Sequence, residues 1–489
     1  AGMKGTNGLE LEVSAIPPVD FGRRLKYLTG YPHGCIEQIV SSVFPQVYLP
    51  DVIELDGKMK EKMESNVKAG IEKLPSFQMS DGSFSFWPGS GNSSPWGTSY
   101  AGHFMIEARN KGFDVPRQLV DNWERYQRKE ARRWSAAGRM TGMELRQDQI
   151  LQSYRLYTLA LAGNPETGAM NRMRERPDLT GEARWRLAAA YALAGQMETA
   201  RDLVQGASVR VEPYMDTRIT FGSQIRDLAM ILETMVIMDM RNEAIPVMEE
   251  VAAGLSGDGW LNTQATAYGL IAMARFTGGE TTRGNLKFGY SYNGGKMVSA
   301  ETALPVSQVV LDPGLGTAGR ILVENRSDGL IYLRIINTGI PLPGNEQPVS
   351  RHLSVEVEYL DLQDQPLDIE RLTQGTDFKA VYTVINPGTL GSLENLALTC
   401  IFPSGWEIHN ERMFTTTTGN TEFDYQDIRD DRVMTYFSLP AGGKVSFTVR
   451  LNAAYGGRYY LPSVQAEAMY RGDVQVLLPG RWTEVERNE

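Results

Sequence analysis

Asp81-Gly82-Ser83-Phe84-Ser85-Phe86-Trp87, followed by Pro95-Trp96-Gly97-Thr98-Ser99-Tyr100-Ala101, returns in degenerate form as Asp258-Gly259-Trp260-Leu261-Asn262-Thr263-Gln264-Ala265-Thr266-Ala267-Tyr268. Each copy joins an Asp-Gly turn and an aromatic residue to a Thr that starts an Ala-rich helix containing Tyr. A Thr there can accept from orphan amides, while the aromatic plugs the gap between adjacent helical hairpins. Hairpins whose flanks need neighbours must stack into a solenoid or close into a ring. The repeat predicts an α/α toroid.

The surrounding sequence agrees. Met59, Met63, Val67, Ile71 and Leu74 recur at spacings of four and three, leaving Lys58, Lys60, Glu61, Lys62 and Glu64 for solvent. Residues Gln149 to Ala162 and Glu182 to Ala194 behave similarly, and Leu228 to Met238 is apolar nearly all round, as suits a helix buried on most sides. Roughly ten to twelve such segments alternate with short Gly- or Pro-containing breaks. After Gly278 the period drops to two. Leu286, Phe288, Tyr290 and Tyr292 alternate into the hairpin signal Asn293-Gly294. Leu353/Val355/Val357/Tyr359, Phe378/Ala380/Tyr382/Val384 and Phe447/Val449/Leu451 continue the pattern at sandwich-like intervals. Leu9 to Val13 alternates too, and fits a strand of the first β domain with the helical domain inserted between its halves.

Composition bounds the function. A chain of 489 residues is too long for one core, and 42% hydrophobic with 22% charged residues describes ordinary folded protein. The net charge of −10, with no basic cluster standing out, argues against nucleic-acid binding as the main role. The most apolar stretch, Leu228 to Met238, is far too short for a membrane span. His33, His103, His352 and His409 are scattered without metal-ligand spacing, so no metal or cofactor is expected. Asp427, Asp430 and Asp431 are interleaved with Arg429 and Arg432, which reads as a salt-bridged loop.

The reactive chemistry is concentrated in Tyr31-Pro32-His33-Gly34-Cys35-Ile36-Glu37-Gln38, which leads into the apolar run Ile39 to Leu49. Gly34 lets the chain turn close to Cys35, which then falls in the first helical turn. A thiol there meets partial positive charge from unpaired amides, which favours thiolate. Gln38, three residues on, shares its face, so Sγ can attack the carboxamide carbon and expel ammonia. The product is an internal thioester. Cys400 lies in the apolar run Leu396 to Phe402 and reads as an inert core thiol, not a disulfide partner of Cys35.

Gly-Cys-x-Glu-Gln with the preceding Tyr-Pro resembles the thioester segment of the α2-macroglobulin and complement family, most closely its bacterial members. Trp96 to Phe104 and Trp260 to Ala267 resemble helix starts of that family's toroid. Tyr425 to Arg432 and Gly457 to Tyr470 resemble the last β-sandwich of bacterial members. The resemblance implies a C-terminal portion. Residues 1–20 would supply a strand of a CUB-like β domain and a linker, 21–278 an α/α-toroid thioester domain, 279–350 the rest of the CUB-like domain, and 351–489 a macroglobulin-type β-sandwich.

The resemblance also implies a function. A protease cuts a bait segment, the molecule rearranges, and a Lys amine of the protease attacks the Gln38 acyl group, releasing Cys35. This is a single-use, broad-range endopeptidase inhibitor, not an enzyme. Glu37 supports the motif, while Tyr31, Met469 and Tyr470 match positions that shield the thioester. The stretch Met140 to Ile150 lacks the catalytic His of complement-type members, so direct aminolysis is expected. His103 is expected to pack, and His33 to serve as a turn or cover residue. Target proteases are the expected partners, with a peptidoglycan synthase a further one. The protein would be exported, periplasmic or envelope-associated, tethered through an N-terminal lipid. Two other readings are weaker. One is a non-covalent envelope scaffold or adhesion module with an unreactive Cys35. The other is a terpenoid-cyclase-like toroid enzyme, for which no Asp-rich motif or Cys/His zinc set is present.

Overall fold

A computed structural model describes residues 3–30, 34–135, 140, 142–257, 259–278, 286–312, 319–409 and 423–487. They divide into two compact units, residues 5–339 and residues 340–489 with the first four.

The first unit holds twelve α-helices among the described residues. Six are amphipathic or short and form an outer layer: α1 (Phe21–Gly30), α3 (Gly57–Lys73), α5 (Arg117–Arg133), α7 (Thr167–Arg174), α9 (Met197–Val204) and α11 (Arg241–Ser256). The other six form an inner layer: α2 (Ile36–Val43), α4 (Pro95–Asn110), α6 (Gly142–Leu161), α8 (Gly181–Leu193), α10 (Gln224–Ile237) and α12 (Thr263–Thr277). The inner helices touch in chain order, and α12 returns to touch α2, which closes the ring. In α5 the buried residues Leu119, Val120, Trp123, Gln127 and Ala131 form one stripe. In α12 every residue but Arg275 is buried. One-sided and all-round burial thus distinguish outer from inner helices, as their sequence patterns require.

Three sequence expectations need correction. Met59 is 43% exposed, so the α3 stripe begins at Met63; Asp56 caps this helix, accepting from the Met59 amide at 2.8 Å. The repeat's threonines are not the caps. Ser94 caps α4 through the Gly97 amide (3.1 Å) and Asn262 caps α12 through the Ala265 amide (2.7 Å). Thr98 instead accepts from the Phe84 amide at 2.9 Å, because Ser94 and Asn262 stand one position outside the helix, where capping is geometrically possible. The aromatics also diverge, for Trp87 is buried while Trp260 is 40% exposed.

Strand Gly8–Ser14 lies between Val306–Leu311 and Tyr332–Thr338, antiparallel to both, with Leu11 opposite Val309 and Ile335. The helices are therefore inserted after the first strand of that sheet. A second three-stranded sheet centres on Leu286–Tyr292, and Leu11, Val13, Leu286, Phe288 and Leu311 form a common core. The hairpin after Tyr292 takes positive φ at Asn293 and Gly294 (51° and 75°), as its Asn-Gly sequence demands.

The second unit is built from a four-stranded, a six-stranded and a small three-stranded sheet. Strand Asp377–Ile385 pairs with Lys444–Asn452 so that Phe378 faces Leu451, Ala380 faces Val449 and Tyr382 faces Phe447. All six residues are buried, so register and alternation agree.

Candidate functional site

Ile36–Val43 forms the short inner helix α2, and the first candidate nucleophile stands at its start. Cys35 has extended backbone (φ −70°, ψ 163°) and is the N-cap, one position outside the helical turn expected for it. Its carbonyl accepts from the Ile39 amide, while the Ile36 amide donates to the Phe86 carbonyl, each at 3.0 Å.

With Cys35 at N-cap, Gln38 occupies N3. Those are the two positions that a capping box occupies, one helical turn apart. Here a thiol stands where the usual hydroxyl would be, with a carboxamide three residues on. Cys35, Ile36, Glu37 and Gln38 are all buried, which keeps bulk water from that turn. Close packing contributes: a Cβ on Gly97 would come within 2.6 Å of the Ile36 side chain, so α4 approaches the motif only because residue 97 is Gly.

Glu37 lies between Cys35 and Gln38 and is solvent-free. Its carboxylate accepts from Ser41 Oγ at 2.6 Å and from Thr263 Oγ1 at 2.9 and 3.1 Å. Ser41 Oγ also bonds the Tyr100 hydroxyl at 3.1 Å. Thr263, read from sequence as a cap, is thus the first residue of α12 holding a carboxylate on α2.

The centre of the ring is filled with charge. Glu233 on α10 meets Arg186 of α8 at 2.7 Å, Arg275 of α12 at 3.4 Å and His103 of α4 at 3.8 Å. Burial alone would raise Glu233, yet Arg186 and then Arg275 hold it at about 2. His103 Nδ1 lies 3.1 Å from both the Tyr154 and Tyr268 hydroxyls, and Nε2 lies 3.3 Å from Tyr157. Burial pushes His103 down to about 4, against the pull of Glu233, so it packs as neutral imidazole. Sequence reading found His103 but missed Arg186, Glu233 and Arg275. A charged residue inside a nearly all-apolar helix, such as Glu233 between Leu232 and Thr234, is the signal that points to them.

Tyr31 and His33 lie outside the described residues. Met469 and Tyr470 are buried and follow strand Val464–Ala468, with the Met469 amide donating to Asn395 at 3.0 Å. Cys400 is buried on strand Leu393–Ile401 beside Tyr382, and burial pushes its thiol well above the usual range. Asp427 pairs with Arg429 and Asp431 with Arg432, which makes that loop salt-bridged. Among the described residues no helix is long and apolar enough to cross a membrane.

Two family models match the chain: the A-macroglobulin TED domain at residues 13–135 and the bacterial alpha-2-macroglobulin MG10 domain at residues 353–473. The chain is 23% identical to the alpha-2-macroglobulin of Escherichia coli K12 over 497 aligned residues, covering 94% of this chain and 29% of that protein. It thus spans under a third of the length of that relative. Native E. coli alpha-2-macroglobulin, solved from domain MG7 to the C-terminus, superposes with a TM-score of 0.81 at 22% identity, covering 99% of this chain and 78% of that one. Salmonella alpha-2-macroglobulin reacted with methylamine gives 0.82 at 22% identity, covering 99% and 32%. At that identity the superpositions establish the fold.

Proposed function

Since the chain is a homologue of the bacterial alpha-2-macroglobulins and matches their C-terminal portion, we propose that it is the acyl-trapping part of a single-use protease inhibitor. The proposal rests on one arrangement: Cys35 and Gln38 occupy N-cap and N3 of one buried helix, a single turn apart. The Cys35 sulfur adds to the Gln38 side-chain carbonyl carbon. The C–N bond breaks, and the amide nitrogen leaves as ammonia with the thiol proton. The acyl group is then stored as a thioester, an acyl-enzyme-like state made in advance. A Lys amine of a protease attacks that carbon, the C–S bond breaks, and the sulfur regains a proton while an amide tethers the protease. Nothing is regenerated, so this is inhibition and not turnover.

The methylamine reaction of the Salmonella relative supports the choice of an amine as attacking group. In this reading the protein works outside the cytoplasm, in the periplasm or cell envelope. Intact mass of the purified chain is the test. A chain lighter than its sequence by one ammonia, gaining one methylamine on treatment while exposing one thiol, is the expected result. Full sequence mass in fresh, amine-free material of the longest natural form overturns the proposal and leaves a non-covalent scaffold.

A further inference from the structure

Helix α2 begins at Ile36 and α12 at Thr263; these are the first and last helices of the inner ring. They meet at one carboxylate. Thr263 Oγ1 donates to both oxygens of Glu37, across 226 positions of sequence, and Ser41 Oγ donates to the same group while bonding Tyr100 of α4. Glu37 therefore keys α2 to both of its neighbours in the ring, and every participant is fully buried. We infer that Thr263 is a positioning residue for the thioester, and that closing the ring through its bond to Glu37 sets the first turn of α2 in the geometry where Cys35 and Gln38 react.

Glu37 at N2 and Gln38 at N3 project about 100° apart around the helix axis. Fixing Glu37 toward α12 thus fixes the direction of Gln38, and through it the separation between its carbonyl carbon and the sulfur. A solvent-free carboxylate must be hydrogen-bonded, so it seeks other donors when Thr263 is removed, and the turn rotates with it. The bond is then conditional on a complete ring. Residues 35–38 alone, or a ring lacking α12, hold the same four side chains without the register that lets them react.

This inference rests on the acyl-transfer reading, and one experiment separates the two. The full chain is prepared as wild type, Thr263→Val, Thr263→Ser and Ser41→Ala, with thermal unfolding recorded for each. Intact mass gives the fraction lacking one ammonia, and methylamine uptake gives the reaction rate. Thr263→Val, which keeps shape and loses the donor, is expected to lower the ammonia-deficient fraction at least about tenfold. Thr263→Ser restores it, and Ser41→Ala gives a smaller loss. A purely structural Thr263 would shift the melting temperature without changing that fraction among folded molecules. If Thr263→Val fails to fold, Ser41→Ala decides alone, since it loosens the same carboxylate from the α4 side. Wild-type bond formation with normal fractions in the folded variants overturns the role of Thr263 and spares the acyl-transfer reading. A wild type that never loses ammonia overturns both.

Discussion

The two units bury polar groups in opposite ways. At the centre of the helical ring Arg186, Arg226, Asp227, Glu233 and His103 are all essentially solvent-free. In the sandwich, among the described residues, the buried polar side chains are Asn386, Thr435 and Thr483, none of them charged. The difference follows from geometry. Strands satisfy their backbone groups sideways and fill the gap between sheets with alternating apolar residues such as Phe378, Tyr382 and Leu451. Six inner helices around one axis converge on a core, where long side chains from opposite walls must meet. Arg226 illustrates how such a charge is accommodated. Its guanidinium reaches Asp227 at 2.6 Å and Gln264 at 3.0 Å, and lies 4.4 Å over the Trp96 ring. The ring thereby acquires a unique arrangement at the cost of acid and mutational sensitivity; the sandwich core is more forgiving.

The sharpest way to break this contrast is Glu233→Leu. It strands Arg186 and Arg275 without their shared carboxylate, and loss of one partner of a buried ion pair costs about 3–5 kcal/mol. Denaturant unfolding followed by helical signal reads the effect, and a loss below about 1 kcal/mol would mean the network is not where the ring's stability lies. Acid is the second lever. His103 is held at about 4 in the folded ring and titrates at 6.5 once released, so the unfolded chain binds the proton first. Stability of the ring should fall as pH drops from 6.5 toward 4, by up to about 3 kcal/mol, with no further contribution from His103 below that. Glu233, held at about 2 against 4.5, adds its own loss below pH 4.5. His103→Gln should flatten the upper window.

The two cysteines sharpen the comparison at smaller energy. Cys400→Ala should cost about 1–2 kcal/mol from the cavity it leaves beside Tyr382, measured by the sandwich's unfolding transition. In the native chain a thiol reagent should leave Cys400 untouched, since burial keeps it protonated, and should label Cys35 once methylamine has released it. Labelling of Cys400 at a comparable rate would erase the distinction between a stored and an inert thiol.

Much of this was visible before any coordinates. All-round apolarity marked α10 as an inner helix, alternation marked the sandwich strands, and the spacing of Cys35 and Gln38 put a nucleophile and a carboxamide within one turn. The helix caps show where reading faltered. Asn262 lies inside the repeat and Ser94 just before Pro95, yet the repeat aligns Thr98 with Thr263, one turn or one residue past the true caps.

Sequence by itself determined which segments are helices and which are strands, and it put a thiol and a carboxamide three residues apart, because periodicity and spacing are properties of near neighbours along a chain. Only the tertiary structure decided that Thr263 meets Glu37, that Glu233 gathers Arg186, Arg275 and His103, and that Gly97 lets α4 press against Ile36. Such pairings come from closing a ring in three dimensions, and nothing in the local order of residues records which distant partner will lie across the axis.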